Sequence, residues 1–188
     1  MLDKTLTNPA EASYKFVIIT LDAHSAGPVS RVQRKLKPFF PSLEISVHAA
    51  AEWAENPKAL EKAKADISSA NIIVANLLFL EEHVKAILPS LKKKRSECDA
   101  LVGCISSKEI VSLTVLDRLD MSKPTTGFLS LLKKLRGSSK SGKPASGKSQ
   151  MSILRRLPKI LRFIPGKAQD VRSYFLTMLY WLGGSDDN

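Results

Sequence analysis

YKFVIITL, from Tyr14 to Leu21, is nearly continuous in apolar, β-branched residues. Such a run suits a strand buried on both faces, because side chains of a strand alternate between faces and here both sets are apolar. NIIVANLLF (Asn71 to Phe79) and ALVGCI (Ala100 to Ile105) read the same way. LEISVHA, Leu43 to Ala49, alternates instead and reads as a strand nearer an edge.

Helical patterns fill the gaps between these runs. Gly27 to Phe39 has Pro28 placed for a first turn and is stopped by Pro38 and Pro41. Glu52 to Ala70 is helical with a break at Asn56-Pro57, a helix-start pair. Glu81 to Glu97 carries Lys92, Lys93, Lys94 and Arg95 near its end, where cations complement the helix dipole. Ser107 to Leu119 reads as a further helix. Four strand-helix alternations imply a parallel sheet with helices on both faces. Right-handed crossovers favour a flavodoxin-like, doubly wound order of about four strands. The carboxyl ends of such strands share one rim, made here by the loops with Asp22-His24, Ala50, Phe79-Glu82 and Ser106-Ser107, where ligands of this class usually bind.

The sequence changes character after Asp120. Phe128 to Arg136 is a short basic, apolar helix, followed by the Gly/Ser/Lys stretch GSSKSGKPASGKS. MSILRRLPKILRFI (Met151 to Ile164) follows, interrupted by Pro158. Over Ala168 to Leu182, Val171, Tyr174, Phe175, Met178, Leu179 and Leu182 recur at helical spacing and form one apolar face. The expected organisation is a disordered arm over 1–13, an α/β domain over 14–120, a basic helix and linker over 121–150, and a helical appendage over 151–188.

The formal net charge of +11 is regional. Twelve Lys or Arg and no Asp or Glu lie between Met121 and Gln169, whereas the rest of the chain sums to −1. The tract fits contact with acidic protein surfaces, an anionic membrane surface, or a solvated helical hairpin. Nucleic acid is disfavoured, since only Phe128 and Phe163 interleave the charges. No run approaches the ~18 apolar residues of a membrane span, and MLDKTLTNPAEAS lacks the apolar core of a secretory signal. Cys98 and Cys104 have no metal or redox spacing and read as small hydrophobes in a reducing compartment.

Three constellations stand against plainer readings. Gly142-Lys143-Pro144-Ala145-Ser146-Gly147-Lys148-Ser149 satisfies the literal P-loop pattern, but no buried strand delivers it to a helix, so Gly142, Gly147, Lys148 and Ser149 read as a chance match in a Gly/Ser/Lys linker. Asp22 and His24 follow the first strand on the ligand rim and are weak candidates for proton transfer or ligand contact; the plainer reading is a helix cap and a loop histidine. His48 and His83 read as structural or surface residues, and three histidines without ligand spacing give no zinc site.

Longer ordered motifs carry a resemblance. DMSKPTTG, LLKKLRG, QMSILRRLPKILRFIPGKAQDVRSYF and LYWLGGSDDN in that order, with KFVIITLDAHSAGPVSR near the start, resemble the N-terminal part of the magnesium chelatase H subunit family, from about Tyr14 to Asn188. Cobaltochelatase large subunits are relatives of that family. The resemblance implies a subunit several times longer that binds protoporphyrin IX and holds the site of Mg²⁺ insertion. It also implies an AAA+ motor subunit with its companion as ATP-hydrolysing partners, a role in chlorophyll and bacteriochlorophyll synthesis, and a location in cytoplasm or plastid stroma. Metal-inserting residues would lie beyond Asn188, so this chain is expected to carry no catalytic residue, no metal and no cofactor of its own. The rival expectation is a stand-alone flavodoxin-like or membrane-surface module.

Overall fold

The structure, a computed structural model, describes residues 13–21, 23–123 and 167–183. The elements run β1 (Tyr14–Thr20), a 3-10 turn (Ala23–Ser25), α1 (Ala26–Leu36), β2 (Leu43–Ala49), a 3-10 turn (Ala50–Glu52) and α2 (Pro57–Ser69). Then come β3 (Ile72–Asn76), α3 (Glu81–Lys94), β4 (Ala100–Cys104), α4 (Lys108–Ser112), β5 (Val115–Leu116), β6 (Leu119–Asp120) and α5 (Lys167–Gly183). The arm over 1–12, the basic helix, the P-loop-like stretch and Met151 to Ile164 lie outside the described residues.

One mixed sheet has the order β2-β1-β3-β4-β5-β6. The first four strands are parallel and the last two antiparallel. The α/β architecture is as the alternation required. The expected helix over Ser107 to Leu119 is not: it stops at Ser112, and the chain turns back as the β5–β6 hairpin. Asp117, with φ 47°, supplies the left-handed residue that a tight two-residue connection needs. A flavodoxin-type sheet would place a fifth parallel strand at this edge, so the hairpin is a departure from that pattern.

Both sheet faces are covered, which is why β1, β3 and β4 read as unbroken apolar runs. On one face Val17, Ile19, Ile73, Ala75 and Leu101 pack with Ala63 and Ile67 of α2, Val84, Ile87 and Leu91 of α3, and Ile110 of α4. On the other, Val74, Val102 and Cys104 pack with Val171, Tyr174 and Phe175 of α5. The β1–α1–β2 and β2–α2–β3 connections run in opposite directions across the sheet, so right-handed crossovers put α1 on the face opposite α2. None of the residues of α1 is buried.

Local chemistry sets the ends. Asn56 Oδ1 accepts from the Ala59 amide at 3.3 Å with Pro57 opening α2. Arg95, beyond α3, donates to the Leu113 carbonyl at 2.9 Å, to Ser122 Oγ at 3.2 Å and to the Asp120 carboxylate, so it ties the helix end to the hairpin. Partial burial pushes the Asp120 carboxyl up, but the Ser122 hydroxyl and amide, Lys123 and Arg95 together hold it well below the usual carboxylate range.

At Gly103 three elements meet. An added Cβ there would lie 2.8 Å from the Ile110 carbonyl carbon of α4, a distance real Cβ atoms do not show. Thr114 Oγ1 accepts from the Gly103 amide at 3.0 Å and donates to its carbonyl at 3.2 Å. Tyr174 of α5 donates to the same carbonyl at 3.2 Å. Gly103→Ala is therefore expected to destabilise the chain by about 2 kcal/mol through overpacking. Gly27→Ala, whose Cβ would meet only the Arg31 guanidinium at 3.5 Å, should leave stability unchanged or slightly raised. Urea unfolding of the two variants checks both.

Candidate functional site

The parallel strands deliver Thr20, Ala49, Asn76 and Cys104 to one row at their carboxyl ends. The register pairs Thr20 with Ala49 and Asn76 with Cys104, and Ile19 with Ala75 one residue earlier. By strand alternation this row faces the α1 and α5 side. Connections leave β1 and β3 toward opposite faces, so the gap between Thr20 and Asn76 is the topological switch point of the sheet.

Thr20 and Asn76 are both 0% exposed. Among the described residues, none is placed to hydrogen-bond Thr20 Oγ1, Asn76 Nδ2 or Asn76 Oδ1. A buried polar group left so costs about 1–3 kcal/mol. The next residue along each of two adjacent strands is also strained: Leu77 has φ 55° and Ile105 φ 48°. Left-handed backbone at such residues costs about 1–3 kcal/mol each, and for a β-branched residue it is an outlier. The two loops are laced together, with the Leu77 amide donating to the Ile105 carbonyl and the Ser107 amide to the Leu78 carbonyl, both at 2.8 Å. Ser106 Oγ accepts from the Leu78 amide at 3.2 Å. Phe79 and Leu80 then project outward, 58% and 51% exposed.

On the α2–α3 side of the rim Trp53 and His83 stack edge to face with ring centroids 5.9 Å apart. Both are buried, and Trp53 Nε1 and His83 Nδ1 likewise have no partner among the described residues. A cavity of about 410 Å³ wraps the carboxyl end of β2, lined among others by Ala23, Ala26, His48, Glu52, Trp53 and Lys62. In its wall His48 Nε2 lies 2.8 Å from Asp66 Oδ2 of α2. Burial lowers the His48 pKa below its ordinary 6.5, and the Asp66 contact opposes this only in part.

Of the residues singled out from sequence, His24 is exposed on the 3-10 turn leading into α1. Asp22 lies outside the described residues, as do Gly142, Gly147, Lys148 and Ser149. His48 and His83 are structural, buried against α2 and Trp53. Cys104 is a buried hydrophobe whose thiol desolvation pushes up to about 11, and Cys98 is half-buried with its thiol also raised by burial. Thr20 and Asn76 were not singled out. Their signal was present: each is a polar residue ending an apolar strand, VIIT and IIVAN. Among the described residues no three His, Cys, Asp or Glu cluster as metal ligands, and no helix is long and apolar enough to cross a membrane.

A family model described as "Domain of unknown function (DUF3479)" matches residues 15–175, from β1 through the buried part of α5. The chain belongs to the DUF3479 family. The DUF3479 domain here is 56% identical over 175 residues to the magnesium-chelatase H subunit of Cereibacter sphaeroides, covering 93% of this chain and 15% of that protein. The H subunit of Rhodobacter capsulatus matches to the same extent. The chloroplastic magnesium-chelatase ChlH protein of Oryza sativa subsp. indica is 34% identical over 128 residues, 66% of this chain and 9% of that protein. The chain thus corresponds to the N-terminal part of the H subunit, as the ordered motifs implied, and spans about 15% of the length of the bacterial relatives.

The depressed His48 pKa has a consequence for stability. The folded chain binds this proton less readily than the unfolded one, so the contribution of a neutral His48 is complete above pH 6.5 and is lost as the pH falls below it. Denaturant unfolding at neutral pH and at stepwise lower pH is expected to show this loss, and His48→Gln, which keeps a donor toward Asp66, is expected to flatten it.

Proposed function

We propose that this chain works as the N-terminal domain of a magnesium-chelatase H subunit, supplying contact surface to Mg²⁺ insertion into protoporphyrin IX while the metal-inserting groups reside elsewhere in the subunit. The observation that carries the reading is 56% identity to bacterial H subunits over 93% of this chain. Identity at that level over a whole domain extends to surface as well as core, so the contacts made by the relatives' domain would be available to this one.

Three exposed apolar groups support a contact role. Phe39 and Phe40 stand 76% and 56% exposed between α1 and β2, Phe79 and Leu80 project from the rim, and Tyr180 and Leu182 stand at the end of α5. Phe39 and Phe40 stand at the amino end of the sheet and Phe79 and Leu80 at its carboxyl end, so these would serve as separate small contacts and not as one patch. The acid-free tract between Met121 and Gln169 would add long-range attraction for acidic surfaces, whether of porphyrin propionates or of the AAA+ motor subunit and its companion. Neither role needs nucleic acid, and the setting would be the cytoplasm or a plastid stroma.

The test is a domain exchange. Residues 14–182 of this chain replace the corresponding region of the Cereibacter sphaeroides H subunit, and Mg²⁺ insertion into protoporphyrin IX is assayed with the other chelatase subunits present. Retention of at least about a tenth of the parent rate, with near-complete loss when the region is simply deleted, is expected. A folded but inactive exchange protein contradicts the reading and favours a separate binding module. The electrostatic part fails if affinity of the exchange protein for its partners is the same at low and high salt.

A further inference from the structure

We propose that two copies of this chain associate through the open edge of β2, which pairs antiparallel with its own copy about a two-fold axis at Ser46 and joins the two sheets into one. The proposal rests on the edge itself and does not depend on the chelatase reading.

The two edges of the sheet are built differently. β6 is two residues long, and its Asp120 is held by Arg95, Ser122 and Lys123. β2 has seven residues and pairs with β1 at seven consecutive positions without a bulge. Among the described residues no strand lies on its other side. Edge strands that must stay single are usually shortened, bulged, or given Lys or Pro. LEISVHA has none of these devices. Nor do the described residues cover the edge, since residues 45–49 all line the cavity of about 410 Å³, which therefore runs along the strand itself. Its walls include the small side chains of Ala23 and Ala26 at the start of α1 and of Ala59 in α2, which leave room beside the edge.

The direction of the free backbone groups follows from one bond. The Tyr14 amide donates to the Ser42 carbonyl, so Ser42 faces β1. In a parallel ladder alternate residues turn amide and carbonyl to the same neighbour. Glu44, Ser46 and His48 then also face β1, while Ile45, Val47 and Ala49 present theirs to the open edge. Antiparallel pairing about Ser46 sets Ile45 opposite Val47 of the second copy, a pair that exchanges both hydrogen bonds, and the axis repeats it. Leu43 meets Ala49 and Glu44 meets His48, so all seven residues are used. Apolar residues share the α1 face and polar ones the α2 face, as the contact of His48 with Asp66 of α2 requires. Glu44, the one carboxylate of the strand, does not meet its own twin, as it would in a register centred on Glu44. Registers centred on Ile45 or Val47 would run into Pro41 or the 3-10 turn at Ala50. An unrelated segment would have to carry this alternation independently, whereas a second copy carries it by symmetry. Two such strands with the flanks of α1 and α2 beside them lie at the low end of interface sizes, below about 1,200 Å², so the dimer is weak and reversible.

The test is analytical ultracentrifugation of the 188-residue chain over about 5 to 500 µM. A monomer–dimer equilibrium without larger species is expected. Val47→Pro removes an amide that faces outward and spares the bonds to β1. Because the axis doubles each loss, the dissociation constant should rise at least about tenfold. Ser46→Cys sets two thiols across the axis with Cα atoms about 4.5 Å apart, within reach of a disulfide. In a Cys98→Ser background it should give a reducible covalent dimer on mild oxidation, and Glu44→Cys in the same background should not. The proposal is overturned if the chain stays monomeric throughout, which leaves the edge to another segment of a larger subunit. It is equally overturned if the dimer survives Val47→Pro unchanged, or if Ser46→Cys cross-links no faster than Glu44→Cys. Should circular dichroism show that Val47→Pro does not fold, the two cysteine variants decide.

Discussion

The approach of α4 to the backbone of β4 at Gly103 constrains everything that follows it in the chain. No side chain fits between Gly103 and the Ile110 carbonyl. With α4 seated so close, the chain re-enters at Thr114 beside the carboxyl end of β4 and runs back antiparallel along the edge that a fifth parallel strand would otherwise occupy. Backbone groups at a sheet edge need partners when buried. β5 pairs with only Ala100 and Leu101. The fully buried Thr114 hydroxyl takes over at Gly103, satisfying amide and carbonyl together. One side chain thus does part of the work of a strand, and the sheet closes with a short hairpin.

The same carbonyl anchors the opposite face. Tyr174 reaches it from α5, its hydroxyl buried and its pKa pushed up to about 12 by desolvation, so it stays a neutral donor. Asp170 accepts from the Arg118 amide in the hairpin turn at 3.1 Å and fixes the other end of the contact. The α2–α3–α4 face is covered by three helices with deep contacts. The second face relies on α5, because α1 buries none of its residues. Val171, Tyr174 and Phe175 carry that duty, and the apolar stripe continues past them to Leu182, which is exposed. A stripe longer than the sheet it covers leaves apolar surface available to other parts of a larger subunit.

What was legible in the sequence follows from how strongly each signal is dictated by physics. Strands buried on both faces must be apolar throughout, so β1, β3 and β4 were found within a few residues, and the alternating β2 over Leu43–Ala49 was found at both ends. The Asn56-Pro57 start of α2 was legible because a cap and a fixed φ leave few alternatives. The hairpin was not. β5 and β6 have two residues each, too few for any period, and Asp117-Arg118 lacks the glycine that usually advertises a tight turn. Their cause is the contact of Thr114 with Gly103, between residues 11 apart, which no local pattern records. At the rim, the positions of the loops were legible from topology. The choice of Thr20 and Asn76 was not, because a polar residue ending a strand is ordinary until its burial is known.

The two ends of the parallel sheet differ in a way that bears on function. At the amino end local demands are met. Asn71 Oδ1 accepts from the Lys15 amide at 2.9 Å, the Asn71 amide donates to the Lys15 carbonyl, and the Tyr14 hydroxyl donates to Asp99 at 2.7 Å. At the carboxyl end, Thr20, Asn76, Trp53 and His83 are buried with polar atoms that find no partner among the described residues, and Leu77 and Ile105 hold left-handed backbone. Both ends are made by the same four strands under the same packing forces, so general constraints of the fold do not account for the difference. Sequences that specify a structure satisfy local rules nearly everywhere and break them where something other than stability is selected. The broken rules thus gather at the end where open α/β sheets take their ligands, while the amino end keeps them.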